Sequence, residues 1–300
     1  MKPVRLGTRR SKLALAQAEE VRARLSAHGI RCTIVPMSTS GDRGASSDGT
    51  PGGLKTLFVD TIVESLEEGT IDAAVHSAKD LPAEDDEALV IAAVPPRADP
   101  HDVMVLGNGS LPPGGVIGTS SIRRRAQLLR AFPGVRLVDL RGNVDTRLRL
   151  LDEGRVNALV LAAAGLHRLG IEREHSQTLD LDKMVPAPGQ GALAVQARAD
   201  DESTLEALAQ LDHRESRVAL DAERSLTWRV GGGCDVPLGA YAHALDEAVT
   251  LVAVVAMPGG ERTARAEVRS DSAEGAAAEA ARALLAEGAE EILEKISRPA

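Results

Sequence analysis

The regular alternation of short apolar strands with amphipathic helices is the feature that most restricts the fold of this 300-residue chain. A strand at Val4–Leu6 leads into a helix that Ser11 can cap and Gly29 can end, and a second strand follows at Thr33–Val35. Residues 116–168 repeat the order of strand, turn and helix three times. This pattern is typical of doubly wound α/β sheets.

Two breaks rich in proline divide the pattern. The first is Pro95-Pro96, after a strand at Leu89–Val94, and the second is the segment 184–191. Because each break can carry the chain from one sheet to another, we predict two α/β lobes like those of periplasmic binding proteins, joined by a two-strand hinge. A small α+β C-terminal domain follows, with a strand meander and one long helix over Ala273–Ile296. The predicted boundaries are residues 1–97 with 190–212, residues 98–189, and residues 213–300.

Arginine is concentrated in the repeated segment. Residues 116–168 contain ten arginines against four acidic residues, an excess of six positive charges in a chain whose formal net charge is -9. Arg123, Arg124, Arg141 and Arg147 all fall within or just after βα turns. A general preference for arginine over lysine could explain the number but not this placement. The placement predicts a polyanionic ligand in a cleft.

The turn after the first strand carries Arg9, Arg10 and Ser11 at a helix N-terminus, where backbone N–H groups and guanidinium groups can hold an anion. The alternative is two solvated arginines. Further along the chain, the buried strand predicted at Ile71–Val75 delivers Lys79 and Asp80 to its carboxyl end. Ligands bind at that edge in open α/β sheets, although a surface ion pair would give the same local sequence.

Between these two features lies Ser38–Lys55, which is rich in small polar residues and long for a connection, so we predict a mobile lid. An amphipathic helix at Thr56–Glu68 should follow it.

Cys234 lies in the turn Gly231–Pro237, where three glycines leave the backbone open to a bulky group. The turn therefore makes Cys234 a candidate attachment point or nucleophile. A helix C-cap with an incidental thiol is the alternative.

Composition restricts the function further. The chain has only four residues of the Phe, Trp and Tyr types, namely Phe58, Phe132, Trp228 and Tyr241. Four are too few for a base-stacking platform, so we expect no nucleic-acid partner.

No apolar run approaches the ~20 residues of a membrane span. The two cysteines are far apart and suggest no disulfide framework, and the histidines have no metal-ligand spacing. We therefore predict a soluble cytoplasmic protein without a metal.

Several motifs, taken together and in order, resemble the porphobilinogen deaminase family along nearly the whole chain. Each motif alone is weak, whereas the ordered set is specific. The matching stretches are Arg5–Ser11, Leu13–Ala18, Asp72–Pro82, Gly118–Arg124, Leu140–Leu148, Ala164–Gly170, Pro186–Ala192 and Gly232–Pro237.

The resemblance implies a transferase that joins four porphobilinogen molecules head to tail, releases ammonia at each step and frees hydroxymethylbilane. It implies a monomer with a dipyrromethane cofactor held by a thioether to Cys234, and a catalytic carboxylate at Asp80. The implied cofactor-binding residues are Lys79, Ser121, Arg123, Arg124, Arg141, Thr146 and Gln190. The implied substrate-binding residues are Arg9, Ser11, Phe58, Arg147 and Arg168.

The chemistry of the ligand agrees with these residue types. Each pyrrole carries an acetate and a propionate, and such anions are costly to bury unless charged donors meet them. Loss of ammonia leaves an azafulvenium cation, which a fixed carboxylate can balance before assisting proton loss from the coupled ring.

Two other classes of protein have to be considered. Two lobes on a hinge are also the architecture of binding proteins for small anions, but such a protein needs neither a third domain nor the Gly-Gly-Cys turn. A nucleotide-binding enzyme fits less well, because Gly118–Ser121 lacks the Gly-Lys-Ser/Thr ending of a phosphate-binding loop.

Overall fold

A computed structural model describes residues 2–38, 61–84, 86–231 and 236–297. Most of the predicted lid, Phe58, the start of the helix predicted at Thr56–Glu68, and Cys234 lie outside the described residues.

The described residues form strands and helices with the following bounds. The strands are β1 (Val4–Arg9), β2 (Cys32–Met37), β3 (Ala73–Ser77), β4 (Leu89–Ala93), β5 (Asp102–Leu106), β6 (Val116–Gly118), β7 (Arg136–Val138), β8 (Ala158–Ala162), β9 (Ser176–Leu179), β10 (Leu193–Arg198), β11 (Leu238–Leu245), β12 (Ala248–Ala256) and β13 (Thr263–Ser270). The helices are α1 (Lys12–Ala27), α2 (residues 61–67), α3 (Ile122–Ala131), α4 (Val144–Asp152), α5 (Ala163–Arg168), α6 (Glu202–Ala209), α7 (Arg214–Arg229), α8 (Ala273–Ala286) and α9 (Ala289–Ser297).

The first lobe is a five-stranded sheet in the order β2-β1-β3-β10-β4, in which β10 runs antiparallel to its neighbours. Helix α1 begins where predicted, since the Ser11 hydroxyl accepts a hydrogen bond from the amide of Ala14 at 3.2 Å. The helix packs Ala18, Val21 and Leu25 against β1 and β3, and β10 adds Leu193, Val195 and Ala197 to the same core. Strand β10 therefore returns to the first sheet as the two breaks in the sequence require.

The second lobe repeats this arrangement in the order β7-β6-β8-β5-β9. The sequence did not reveal β9, whose residues Ser-Gln-Thr-Leu are mostly polar. It pairs antiparallel with β5 at the edge of the sheet, where its polar side chains remain exposed. An edge strand of this kind lacks the apolar pattern that identifies a buried strand.

The C-terminal domain is an antiparallel meander, β11-β12-β13, packed against α7, α8 and α9. The prediction of one helix over Ala273–Ile296 is wrong. Helix α8 ends at Ala286, and Gly288 adopts a left-handed conformation with φ +87° before α9 begins. The break lets α9 turn back and bury Ala289 and Ile292 in the same core.

The two crossings between the lobes meet at a buried ion pair. Arg97, on the first crossing, donates to both carboxylate oxygens of Glu223 on α7, at 2.6 and 3.1 Å. Glu223 is fully buried and also accepts from the amides of Gly189, on the second crossing, and Ala242. Helix α7 therefore ties the C-terminal domain to the hinge.

These sheets confirm the predicted fold class of two mixed α/β lobes with a small antiparallel C-terminal domain. The residue boundaries of the three domains stay a prediction.

Candidate active site

Asp80 lies at the end of the central strand of the first lobe. Strand β3 is placed between β1 and β10, and a single 3-10 turn, Ala78–Asp80, follows it directly. The strand covers Ala73–Ser77 and not the predicted Ile71–Val75, because the Asp72 side chain receives hydrogen bonds from Arg5 just before the strand begins. Asp80 is consequently half-buried at the carboxyl edge of the sheet, where the sequence predicted it.

A cleft between the lobes passes over this edge. The first lobe contributes Arg9, Ser11, Lys79 and Asp80 to its walls, and the second lobe contributes Arg168 from the end of α5. Five of the site residues predicted from the sequence thus share one cleft. The cations among them outnumber the carboxylate, so the cleft offers positive charge to an anionic ligand.

Arg168 spans the two lobes. Its Nε donates to Glu20 of α1 at 2.9 Å, and one terminal nitrogen donates to the carbonyl of Gly191 at 3.1 Å. Its side chain is only 6% exposed. Close to it, α5 contacts α1 where Gly165 faces Leu13. In this structure Arg168 therefore fixes the lobes relative to each other as well as lining the cleft.

Arg123 and Arg124 are buried at the start of α3 and share one carboxylate. Arg123 donates to Asp102 Oδ2 at 2.8 Å and to the carbonyl of Val185 at 2.7 Å. Arg124 donates to Asp102 Oδ1 through Nε at 3.0 Å and a terminal nitrogen at 2.7 Å, and also to the carbonyl of Val160. Gln190 adds a fourth hydrogen bond to Asp102 from its amide nitrogen, at 3.0 Å.

Asp102 was missed by the sequence analysis because it lies outside the arginine-rich segment. It is fully buried, and although burial opposes its charge, the two guanidinium groups hold its pKa far below the usual range. A single acidic residue at the start of the apolar strand Asp-Val-Met-Val-Leu was the signal that could have revealed it, since a buried carboxylate requires cationic partners.

The remaining predicted ligands of the second lobe surround the α3 and α4 N-termini. The Ser121 hydroxyl caps α3, and Arg141 is exposed beside Asp139. Arg147 uses its Nε to reach the carbonyl of Gly142, a residue with φ +116° that packs against Thr146. Among the described residues no carboxylate forms an ion pair with Arg147. Arg147 therefore stays a candidate ligand-binding residue.

The electrostatic environment of Lys79 is unusual. Burial lowers the pKa of its amine to about 8, and the charges of Arg124 and Arg123 act in the same direction, while Asp80 and Asp102 oppose them. The neighbouring His76 is buried, and burial lowers its pKa to about 4, so it is neutral near pH 7. Lys79 can thus change its protonation state close to neutral pH, according to the charges that a ligand brings.

Two predicted site residues, Cys234 and Phe58, lie outside the described residues, and the roles assigned to them stay predictions. Within the described ranges no group of His, Cys, Asp and Glu is arranged to hold a metal ion. Those ranges also contain no helix that is both long and apolar enough to span a membrane.

Comparison with known proteins gives consistent matches along the chain. The family model described as "Porphobilinogen deaminase, dipyromethane cofactor binding domain" matches residues 4–206, and "Porphobilinogen deaminase, C-terminal domain" matches residues 218–293. A porphobilinogen deaminase of Brevibacillus brevis is 42% identical over 98% of this chain and 97% of the relative. One of Roseiflexus sp. is 50% identical over 79% of this chain and 80% of the relative. Among solved structures, the methionine-binding protein MetQ is 15% identical, covers 69% of this chain and 89% of its own, and has a TM-score of 0.44.

Proposed function

The chain belongs to the porphobilinogen deaminase family, and on this premise we propose that Asp80 is its catalytic carboxylate and Cys234 the residue that carries its cofactor. As a member it is a hydroxymethylbilane synthase of tetrapyrrole biosynthesis, which joins porphobilinogen units with release of ammonia on a dipyrromethane cofactor. The function predicted from the sequence is thereby confirmed. The assignment of individual residues is the proposed part.

The cleft that gathers Asp80, Lys79, Arg9, Ser11 and Arg168 carries the proposal. Asp80 can balance the positive charge left when porphobilinogen loses ammonia, and can accept a proton from the ring that couples. Arg9 and Arg168 supply donors for the acetate and propionate groups of the substrate. Porphobilinogen is the substrate that this reaction implies.

The residues around α3 and α4 fit a dipyrromethane. Arg147 has no carboxylate partner among the described residues, and the Gln190 Oε1 atom is buried without a hydrogen-bond partner there. Lys79 and Arg141 add positive charge, and Ser121 and Thr146 add hydroxyl groups. When bound, the cofactor supplies the nucleophilic pyrrole carbon that begins chain growth.

Arg123 and Arg124 act differently in this proposal from the way the sequence suggested. Because both guanidinium groups are buried and bind Asp102, they are held in fixed positions at the start of α3. Replacing either one would also remove a counter-charge from a buried carboxylate, so the loss of folding would obscure any loss of binding.

An intact-mass measurement of the purified protein tests the proposal as a whole. We expect a covalent excess of two pyrrole units on the peptide that contains Cys234. A protein that binds small anions without such an adduct would instead be the two-lobed binding protein considered above.

Arg147 gives the most direct test of the arginine-lined cleft. Changing Arg147→Leu should slow cofactor assembly or chain elongation roughly tenfold or more, because one charge-assisted hydrogen bond contributes about 1.5–3 kcal/mol. The measurement is the distribution of enzyme-bound pyrrole intermediates after substoichiometric substrate. Arg130→Leu is the matched control, since Arg130 is exposed near the end of α3. Normal elongation by the Arg147 variant, with stalling by the Arg130 variant, would contradict the proposed orientation of the cleft.

Lys79 should titrate differently with and without the cofactor. In cofactor-free Cys234→Ala protein, the amine should lose its proton near pH 8, because burial favours the neutral form. In the protein loaded with cofactor, the titration midpoint of Lys79 should rise, since nearby carboxylates favour the ammonium ion. Carbon-13 NMR of reductively methylated protein can measure this, as the chain has six lysines and Lys79→Arg identifies the signal. Identical midpoints in the two proteins would mean that Lys79 does not face the cofactor.

We also propose that the enzyme is a cytoplasmic monomer, as the family resemblance implies. Light scattering coupled to size-exclusion chromatography would show a second subunit as a doubling of the mass of 31.4 kDa.

A further inference from the structure

Helix α7 contacts the turn that carries Asp80 in two ways. Leu220 packs in the same core cluster as Ala78 and Leu81, and Arg224 forms hydrogen bonds to the segment just after the turn. One terminal nitrogen of its guanidinium donates to the carbonyl of Pro82 at 2.6 Å. The other lies 3.3 Å from the carbonyl of Ala83 and 3.4 Å from that of Glu84. Three successive carbonyl groups, the first only two residues after Asp80, therefore converge on one cation from the C-terminal domain.

The other side of the same turn is held by the neighbouring residue of α7. Glu223 accepts a hydrogen bond from the amide of Gly189 at 2.6 Å. Gly189 is pressed against the turn, since a Cβ added there would lie 2.8 Å from the amide nitrogen of Lys79 and 2.9 Å from the carbonyl carbon of Ala78. The turn is thus enclosed between a contact that depends on Glu223 and a set of hydrogen bonds that depends on Arg224.

Helix α7 also precedes the proposed attachment cysteine in the sequence. It ends at Arg229, five residues before Cys234. One rigid helix consequently contacts the segment that carries the proposed catalytic carboxylate and precedes the turn that carries the proposed attachment cysteine.

We propose that Arg224 is a positioning residue, which holds Asp80 at its working distance from the cofactor by fixing the carbonyl groups of residues 82–84. The proposal rests on the proposed function, in which Asp80 is the catalytic carboxylate. In this role Arg224 itself touches neither substrate nor cofactor. Its effect on the reaction passes through the backbone that follows Asp80.

A guanidinium suits this task better than an ammonium group. Its two terminal nitrogens form a planar fork that can meet several carbonyls at once, whereas lysine offers a single nitrogen on a flexible stem. Arg224→Lys should keep only the shortest bond, to Pro82. We therefore expect the rate to fall in the order wild type, Arg224→Lys, Arg224→Ala. Small displacements of a catalytic group reduce rates strongly, so we expect about a tenfold loss for the alanine variant.

The experiment is a double-mutant cycle between positions 224 and 80, with single-turnover formation of enzyme-bound intermediates as the measured rate. Each variant is first shown to be folded and loaded with cofactor. In the wild-type background Arg224→Ala should slow this step about tenfold, whereas in an Asp80→Asn background the same change should slow it less than about threefold, because the positioned group is already lost. Equal losses in both backgrounds would overturn the proposal.

The cycle separates this proposal from the proposed function. If Asp80→Asn alone reacts at the normal rate, the role of Asp80 is wrong, whatever Arg224 does. If Asp80→Asn is slow but the rate losses caused by the two substitutions multiply independently, only the positioning role of Arg224 is wrong.

A second measurement does not depend on activity. Amide hydrogen exchange over residues 78–84 should become faster in Arg224→Ala than in the wild type, and unchanged exchange there would also overturn the proposal. Arg217→Ala is the matched control, because Arg217 lies on the same helix and donates to the carbonyl of Ile91 at 3.1 Å, on β4, which β10 separates from β3. This control should leave the exchange of residues 78–84 as it is, and its effect on the rate should be the same in both Asp80 backgrounds.

Discussion

Replacing Cys234 with alanine is expected to give a folded protein that carries no dipyrromethane and makes no hydroxymethylbilane. The thioether requires the sulfur atom of this residue, and three glycines precede it in the turn, so we expect its loss to cost little stability. Intact mass, a peptide map and an assay of bilane formation measure the result.

Cys32→Ala is the matched control for this experiment. Cys32 is half-buried at the start of β2, where burial raises the pKa of its thiol and makes it less reactive. The Cys32 variant should keep both the cofactor and the activity. A pyrrole adduct on Cys32, or full activity in the Cys234 variant, would refute the assignment.

Replacing Asp80 with asparagine is expected to lower the rate of the chemical step by about 10²–10³, or about 2.7–4 kcal/mol, the usual cost of losing a preorganised electrostatic partner. Asparagine keeps the shape and one acceptor but removes the negative charge. Loss of the proton acceptor should add to the effect. Asp80→Glu keeps the charge at a slightly different distance and should retain reduced activity.

Single-turnover formation of enzyme-bound pyrrole intermediates is the measurement for Asp80, with cofactor loading checked first for each variant. The half-buried position of Asp80 after a buried strand suggests that the fold will survive either change. Near-normal release of ammonia by the asparagine variant would show that another group performs the chemistry.

The sequence indicated most of the residues proposed for the candidate site, but not which of them contact one another. Asp80 and Arg9 could be placed at one sheet edge because local periodicity identifies the two strands concerned: Arg9 ends β1, and Asp80 lies in the turn after β3. Asp102, by contrast, lies 21 and 22 residues before the arginines that it binds, and no local pattern connects them. The polyanion site inferred from the arginine count stays a prediction, and two of its cations, Arg123 and Arg124, are already paired with Asp102.

The sequence by itself determined most of the order of strands and helices, though not β9 or the division between α8 and α9, and it also determined the two crossings and the family. These properties follow from hydrophobic periodicity, helix caps and short motifs, all of which act between residues close in the chain. The one long helix predicted near the C-terminus was wrong because Gly288 interrupts a pattern that otherwise continues.

Only the tertiary structure decided which charged residues are partners. Arg97 and Glu223 are 126 residues apart, and Arg224 is 142 residues from the carbonyl that it binds most closely. Such pairs form because a buried charge must find its partner wherever packing brings one, and packing is a property of the whole chain. For the same reason, the link from the C-terminal domain to the Asp80 turn could be read only from the folded molecule.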